Sequence, residues 1–111
     1  MVLGDRSIDN AKAIAKILTE AGFDVVTFEM DLSSRQSIKE MIAYAQTFGD
    51  IKYLVNDAGV SSLQASIETV LKVDFYGTSV LLEEIAAVIT HVAFYAGWPK
   101  GWAVFNLAKE V

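Results

Sequence analysis

The chain has no cysteine, one histidine and one proline among its 111 residues. Without cysteine it can form no disulfide framework, no thiolate nucleophile and no thiolate metal site. His91 cannot build a histidine cluster by itself, so only carboxylates could hold a metal. We therefore predict no metal site.

Positive charge is also scarce. Nine lysines and arginines oppose fourteen aspartates and glutamates, which gives a net charge of −5 and no basic cluster. A phosphate backbone or an anionic membrane would be repelled, so neither nucleic acid nor a membrane is a predicted partner. The N-terminal residues include Asp5, Arg6 and Asp9, unlike the apolar core of a signal peptide, and we expect a cytoplasmic protein.

Long apolar runs are missing as well. The longest apolar tract, residues 85–98, is interrupted by Thr90 and His91 and is shorter than the ~18 residues that a membrane span needs. Apolar residues nevertheless make up 53% of the chain, with a mean hydropathy of +0.37. This fraction is high for so short a chain, and we expect part of the apolar surface to be covered by a second copy in a homo-oligomer.

Three extended segments alternate with three amphipathic segments through residue 82. The extended segments are VLG, FDVVTFEMDL and IKYLVNDAGV. The predicted helices start at Ser7 or Asp9, at Ser34 and at Ser66, where a serine or aspartate oxygen can accept a backbone N–H bond. The β-α-β-α-β-α order predicts right-handed crossovers and a parallel sheet covered by helices, an α/β fold.

From Glu83 onward the apolar spacing is typical of helices. We predict a buried helix over residues 85–98, a break at Gly97 and Pro99, and a last short helix from Trp98 to Val111. The whole chain is predicted to be one domain, residues 1–111.

The runs VLGDRSIDNAKAIAKILTEAGFDVVTFEMDL and DLSSRQSIKEMIAYAQTFGDIKYLVNDAGVS, continuing to IETVLKVDFYGTSVLLEE, resemble the short-chain dehydrogenase/reductase family over about residues 2–84. The resemblance implies the adenosine side of a Rossmann dinucleotide site. The predicted fold is therefore a truncated Rossmann-like, three-stranded parallel sheet with flanking helices (residues 1–84), followed by a helical tail (residues 85–111).

The resemblance also implies cofactor-binding residues for NAD. Asp5 matches the family's acidic residue that bonds the adenosine ribose, and its charge disfavours the 2′-phosphate of NADP, although Arg6 lies beside it. As an alternative, Asp5 is simply a turn residue before a helix. The other matching positions are the Asp-Leu pair at the adenine and three residues of an Asn-Asn-Ala-Gly loop: Asp31, Leu32, Asn56, Ala58 and Gly59. Asp57 departs from that loop motif.

Several catalytic elements of the family have no counterpart in this sequence. There is no glycine-rich loop to bind pyrophosphate, no Tyr-x-x-x-Lys pair, and Asp74 stands where the family has a catalytic asparagine. Asp74 is either an acceptor at that position or an ordinary surface acid. Tyr95 and Lys100 are spaced five apart and are not expected to substitute for the missing pair, so the catalytic residues remain unassigned.

The tail EEIAAVITHVAFYAGWPKGWAVFNLAKEV, about residues 83–111, resembles the C-terminal helix pair of the carboxymuconolactone decarboxylase family. The sequence therefore reads as a chimera that changes family near residues 82–86. The resemblance would make His91 a proton donor, whereas a lone histidine on an apolar helix is more often a core or interface residue. Glu83 and Glu84 are interpreted as a solvated turn of helix.

In the Rossmann strand order the family's missing first strand is the central one, which predicts a gap between residues 2–4 and 51–56. Either these two segments pair directly, or a second chain supplies the neighbouring strand. Three functions follow, in descending order of expectation. They are a catalytically incomplete reductase-like protein with weak NAD(P) binding, a non-catalytic oligomeric scaffold, and a decarboxylase-like protein.

Overall fold

The computed structural model describes residues 1–60, 63–89, 91–98 and 101–108. A π-helical segment, Leu71–Gly77, lies between the third and fourth helices. The helices and strands in chain order are β1 (Val2–Asp5), α1 (Ile8–Glu20), β2 (Val26–Glu29), α2 (Arg35–Gln46), β3 (Tyr53–Asn56), α3 (Ile67–Val70), α4 (Thr78–Ala86), β4 (His91–Trp98) and β5 (Gly101–Ala108).

The helices begin at serines, as predicted. The side chains of Ser7, Ser34 and Ser66 accept hydrogen bonds from backbone N–H groups in the first turns of α1, α2 and α3. Each of these oxygens satisfies a donor that has no partner inside its own helix. Gly22 follows the C-cap of α1 and has a φ of +98°, a left-handed conformation that favours glycine and ends the helix.

The third predicted helix is longer and less regular than expected. It runs through α3, the π-helical segment and α4, from Ile67 to Ala86, rather than ending at Leu82. Gly77 closes the π-helical segment where the helix passes over Leu32. A π-helical turn inside an α-helix is rare and is frequent at functional sites, so this segment is a candidate for a functional role.

One apolar core joins β2, α2 and α4. Ile38 of α2 is 1% exposed and belongs to one cluster of buried apolar residues. Leu54 of β3 is half-buried and packs against the same cluster. The remaining buried members are Met30, Leu32, Ile42, Val80, Leu81, Ile85 and Ile89. The core is therefore built from α2, α4 and the segment after β2, with residues of β2 and β3 packed against it.

The strands form two separate sheets. β1 pairs in parallel with β2, and β3 pairs in parallel with β4, which pairs in turn with β5 in the antiparallel direction. The prediction of an α/β fold with parallel strands and flanking helices is confirmed. The prediction of a single three-stranded parallel sheet is wrong, because the described strands form two sheets. Direct pairing of residues 51–56 with the N-terminal strand is also wrong, because in the described part of the chain β3 pairs with β4 and not with β1.

The predicted C-terminal helix pair is wrong. The helix ends at Ala86, residues 91–98 form β4 and residues 101–108 form β5. The segment is rich in valine, phenylalanine, tyrosine and tryptophan, which fit a pleated surface, and β3 offers it an edge whose backbone groups need partners. Long-range pairing thus overrides the local helical spacing. Pro99, expected to break a helix, lies outside the described residues, as does Lys100.

Among the described residues, no helix is both long enough and apolar enough to span a membrane.

Candidate functional site

Three of the predicted site residues lie where strands end. Asp5 is the last residue of β1, Asn56 is the last residue of β3, and Asp31 follows β2 by two residues. The backbone N–H of Met30 donates to the carbonyl oxygen of Asp5 at 2.9 Å, which extends the β1–β2 pairing to this end. Asp5 and Asp31 therefore share the carboxyl edge of the first sheet, where ligands bind in open α/β folds.

One of the two carboxylate oxygens of Asp5 is hydrogen-bonded within the turn that follows β1. Its Oδ1 atom accepts the backbone N–H of Ser7 at 2.7 Å, and Ser7 in turn caps α1. The Oδ2 atom has no hydrogen bond among the described residues. The turn-residue alternative of the sequence analysis is therefore observed at Oδ1. The ribose-binding alternative stays a prediction, for which Oδ2 is the available acceptor.

Asp31 is an exposed carboxylate held in a turn by Ser33. Its Oδ1 atom accepts both the hydroxyl of Ser33 at 2.6 Å and the backbone N–H of Ser33 at 2.9 Å. These bonds favour the ionised form and lower the pKa of Asp31 below its ordinary value of 3.8, with a smaller contribution from the positive charge of Arg6. A negative charge is thus fixed at this edge across the neutral pH range.

Replacing Ser33 with alanine is expected to raise the pKa of Asp31, because the Ser33 hydroxyl is the largest cause of its depression. In the native chain the stabilisation from this ionised carboxylate is present above about pH 4, the unfolded-state pKa, and is lost as the pH falls through the lower folded-state pKa. Because its folded-state pKa would lie closer to the unfolded-state value, Asp31 in Ser33→Ala should contribute less stability above about pH 4. Less stability should therefore be lost as the pH falls below that value. An NMR titration of the Asp31 carboxyl carbon measures the shift directly.

Ser79→Ala is the matched control, because the Ser79 hydroxyl donates to the Phe75 carbonyl oxygen and not to a carboxylate. An Asp31 titration curve that is identical in Ser33→Ala and in the native chain would contradict the assigned cause.

Leu32 faces the core rather than the open edge. The residue is 5% exposed, and the helix at Gly77 passes so close that a β-carbon there would lie 2.4 Å from the Leu32 carbonyl oxygen. Leu32 therefore offers almost no surface to a ligand at the edge. The Asp-Leu pair is thus divided, with the carboxylate outside and the leucine inside.

Asn56 is a buried polar residue that fixes the end of β3. It is 8% exposed, its side-chain amide donates to the Thr78 hydroxyl at 3.4 Å, and its Oδ1 atom accepts the backbone N–H of Ala58 at 3.4 Å. These bonds connect the strand, the loop after it and the first residue of α4. Asn56 therefore holds the loop after β3, and Thr78, which binds Asn56, was not among the predicted site residues.

Asp74 holds the same loop from the other side. Its Oδ1 atom accepts the backbone N–H of Val60 at 2.9 Å, and a β-carbon on Gly59 would lie 3.2 Å from that oxygen. Asp74 lies in the π-helical segment and is half-buried, so it is not an ordinary surface acid. Among the described residues Asp74 is an acceptor for the backbone N–H of the loop, a role that was not predicted, and a part in catalysis stays untested.

Arg35 joins the helix layer by binding both Glu83 and Glu84. One guanidinium nitrogen lies 3.0 Å from the Glu83 carboxylate, and a second contacts the Glu84 carboxylate. The bond to Glu83 is the largest cause of a raised pKa of Arg35, and the bond to Glu84 is the next largest. The interpretation of Glu83 and Glu84 as a solvated turn holds for Glu83, which is exposed, but not for Glu84, which is half-buried, and both carboxylates bind Arg35. They clamp α4 to the start of α2, a contact across 48 residues of sequence that no local pattern reveals.

The edge suits the adenosine part of a dinucleotide better than its pyrophosphate. The two acidic side chains can accept bonds from ribose hydroxyls or an adenine amine. Pyrophosphate needs a cradle of backbone N–H groups, usually at a glycine-rich helix start, but Gly22 and Gly49, the described residues with positive φ, follow helices instead of preceding them. No cluster of acidic or histidine side chains in the described residues could hold a metal ion.

Comparisons with known proteins agree with these features. The family model for short chain dehydrogenase matches residues 1–91, and this match continues past the predicted change of family near residues 82–86. A short-chain dehydrogenase/reductase of the fungus Alternaria brassicicola is 29% identical over 91 residues, which cover 82% of this chain and 33% of that protein.

Solved structures give the same fold. A citronellol catabolism dehydrogenase of Pseudomonas aeruginosa is 30% identical with a TM-score of 0.67, over 78% of this chain and 38% of that one. A short-chain dehydrogenase/reductase from Burkholderia phymatum, in complex with NAD, is 23% identical with a TM-score of 0.67, over 80% of this chain and 34% of that one. The chain spans less than half the length of these relatives.

Proposed function

Because this chain belongs to the short-chain dehydrogenase family, we propose that it binds the adenosine part of NAD weakly and does not transfer hydride by itself. The observation that carries the proposal is the pair of acidic residues, Asp5 and Asp31, at one edge of the first sheet, with an oxygen of Asp5 available to a ligand. The cofactor, when bound, would supply the hydride chemistry of the family. The residues of this chain would bind and orient its adenosine.

Asp5 would accept the ribose hydroxyls, and Asp31 would meet the adenine edge. Asn56, Ala58 and Gly59 would shape the loop toward the nicotinamide side, held by Thr78 and Asp74. The negative charge of Asp5 favours NAD over NADP, whose 2′-phosphate it would repel. Binding would be weak because these 111 residues supply no glycine-rich loop for the pyrophosphate.

The absence of hydride transfer is proposed from the residues that are missing in this sequence. Reduction in this family needs a tyrosine and lysine spaced four apart to move the proton, and the 111 residues contain no Tyr-x-x-x-Lys. Asp74, in place of the family's asparagine, can accept but not donate a hydrogen bond when ionised. These residues would therefore serve as a binding module, with catalysis outside their capacity.

Calorimetry with NAD and NADP is the test of this proposal. The native chain is expected to bind NAD more tightly than NADP, and Asp5→Ala is expected to weaken NAD binding about tenfold or more. A hydrogen bond to a charged group contributes about 1.5–3 kcal/mol, and 1.4 kcal/mol corresponds to a factor of ten. Asp5→Asn keeps an acceptor for Ser7 while removing the charge, so its affinities separate the effect of charge from a change in the turn.

Asp50→Ala is the matched control, since Asp50 is an exposed aspartate near the opposite, amino end of β3. It should leave the affinity for NAD unchanged. Absence of binding at millimolar NAD, or equal loss in the Asp5 and Asp50 variants, would overturn the proposal.

A self-assembling scaffold is the second candidate function, favoured by an exposed apolar stripe. Ile67, Leu71 and Phe75 recur every fourth residue from α3 into the π-helical segment and are 76%, 56% and 72% exposed. Such a stripe is typical of a helix that packs against a partner. Light scattering on the calorimetry sample decides between the candidates. A defined oligomer whose mass is indifferent to NAD, without nucleotide binding, would favour the scaffold.

We do not propose a decarboxylase-like function. It depended on a C-terminal helix pair, and β4 and β5 occupy that part of the chain. The cytoplasmic location remains a prediction from the sequence.

A further inference from the structure

The methionines of the chain differ in their exposure to solvent. Met1 is 61% exposed, Met41 of α2 is half-buried, and Met30, which directly follows β2, is 8% exposed. Mild peroxides oxidise thiols and thioethers, and this chain has three methionines but no cysteine. The exposure of each methionine therefore decides which sulfur a peroxide can reach.

Two of these methionines meet at one glycine of the first sheet. A β-carbon placed on Gly4 of β1 would lie 2.5 Å from the sulfur of Met41, 2.6 Å from its methyl carbon and 3.5 Å from the β-carbon of Met30. A residue without a β-carbon leaves room for this sulfur. The side chain of Met41 therefore lies against the backbone of β1 and is a direct contact between α2 and that strand.

The surroundings of Met41 suit a thioether and oppose its oxidised form. Met41 packs against the apolar core that includes Ile38 and Ile42. A sulfoxide is polar, and burying it without a hydrogen-bond donor costs free energy. An oxygen added to the sulfur must either fit between α2 and β1 or turn toward solvent. Both outcomes remove the contact between the Met41 side chain and Gly4.

We propose that Met41 is a site of oxidation by hydroperoxides, and that its oxidation to the sulfoxide releases β1 from α2. The sulfur attacks the hydroxyl oxygen of the hydroperoxide, so a sulfur–oxygen bond forms as the oxygen–oxygen bond breaks. The proton on that oxygen passes to the leaving hydroxide or alkoxide, which departs as water or an alcohol. The thioether is oxidised and the peroxide is reduced by the same electron pair.

Met41 combines access with structural effect, which neither of the other methionines does. Met1 is exposed, so a sulfoxide there disturbs no packing, and Met30 is shielded from the oxidant by its burial. Gly4 is followed in β1 by Asp5, whose carbonyl oxygen accepts the backbone N–H of Met30. Release of β1 should therefore change the carboxyl edge of the first sheet.

Hydrogen peroxide, applied at millimolar concentration to the full chain, tests the first part of the proposal. Peptide mass spectrometry measures the rate at which each methionine gains one oxygen. Met1 is expected to react fastest and Met41 next, with Met30 slower than Met41 by about fivefold or more, because oxidation follows exposure. In the chain unfolded by urea the three rates should agree within about twofold, because burial no longer separates them.

Met41→Leu is the matched variant for the second part, because leucine is apolar and of similar volume but has no sulfur. Peroxide is expected to lower the urea midpoint of the native chain and to shift the NMR amide signals of Gly4 and Asp5. Neither should change in Met41→Leu. Met30→Leu, at the other methionine beside Gly4, should respond like the native chain. Methionine sulfoxide reductases should restore the midpoint and the signals.

Equal oxidation rates of Met41 and Met30 in the folded chain would overturn the assignment of the site, and this measurement needs no variant. Oxidation of Met41 with unchanged amide signals at Gly4 and Asp5 would overturn the release of β1. So would an equal response of Met41→Leu and the native chain. Nucleotide enters none of these measurements, so absence of NAD binding would sink only the nucleotide proposal.

Discussion

Replacing Ile38 with alanine is expected to lower the free energy of unfolding by about 2–5 kcal/mol. Ile38 is 1% exposed and is the largest side chain that is fully buried among the described residues. Its removal takes away buried apolar contacts and leaves a cavity between α2, α4 and Leu32. Urea unfolding followed by circular dichroism measures the effect as a lower midpoint with an unchanged slope.

Ile67→Ala is the matched control because it makes the same change on another helix at a position that is 76% exposed. Its effect should stay within about 0.5 kcal/mol. Since small domains are stable by about 5–15 kcal/mol in total, the Ile38 variant should lose a large fraction of its stability. Equal losses in the two variants would contradict the placement of the core between these helices.

The first two βα units could be predicted from the sequence because their signals are local. Ser7 and Ser34 each act within three residues of the N–H that they accept, and Gly22 marks the end of α1 by its own conformational freedom. The apolar positions of α2, including Ile38 and Ile42, recur at helical spacing and proved to be its buried face. Local chemistry was sufficient for these elements.

The C-terminal strands could not be predicted in this way. Residues 91–98 have apolar residues close enough together to satisfy a helical pattern, and the deciding influence is β3, a partner about 38 residues earlier. The tail's resemblance to a helical family reinforced the wrong interpretation. A short apolar run is ambiguous between helix and strand until its partner is known.

The positions of three candidate site residues at strand ends could be predicted, whereas their part in nucleotide binding stays a proposal. Asp5, Asp31 and Asn56 could be placed at strand ends because β-α-β order implies it. The roles of Asp74, Thr78 and Arg35 escaped prediction because each depends on a contact between residues 14 or more apart in sequence. Their signal in the sequence is only the position of each on a helix, which does not identify the partner.

Replacing Gly77 with alanine is expected to destabilise the chain by about 2 kcal/mol, although alanine favours a helix over glycine by about 1 kcal/mol. The new β-carbon would lie 2.4 Å from the carbonyl oxygen of Leu32 and 2.9 Å from its Cγ atom. The backbone at Leu32 cannot rotate away as a flexible side chain could, so the helix or the segment after β2 must shift. The steric cost should therefore exceed the gain in helix propensity.

Gly59→Ala is the contrasting case, because the kind of atom next to the new β-carbon determines how much the free energy of unfolding changes. There the nearest atom is an oxygen of the Asp74 carboxylate at 3.2 Å, which can turn aside by a few tenths of an ångström. Its effect on the free energy of unfolding should be within about 1 kcal/mol. If Gly77→Ala instead raised the urea midpoint, the helix could not lie against Leu32, and the burial of Leu32 away from the carboxyl edge would lose its structural cause.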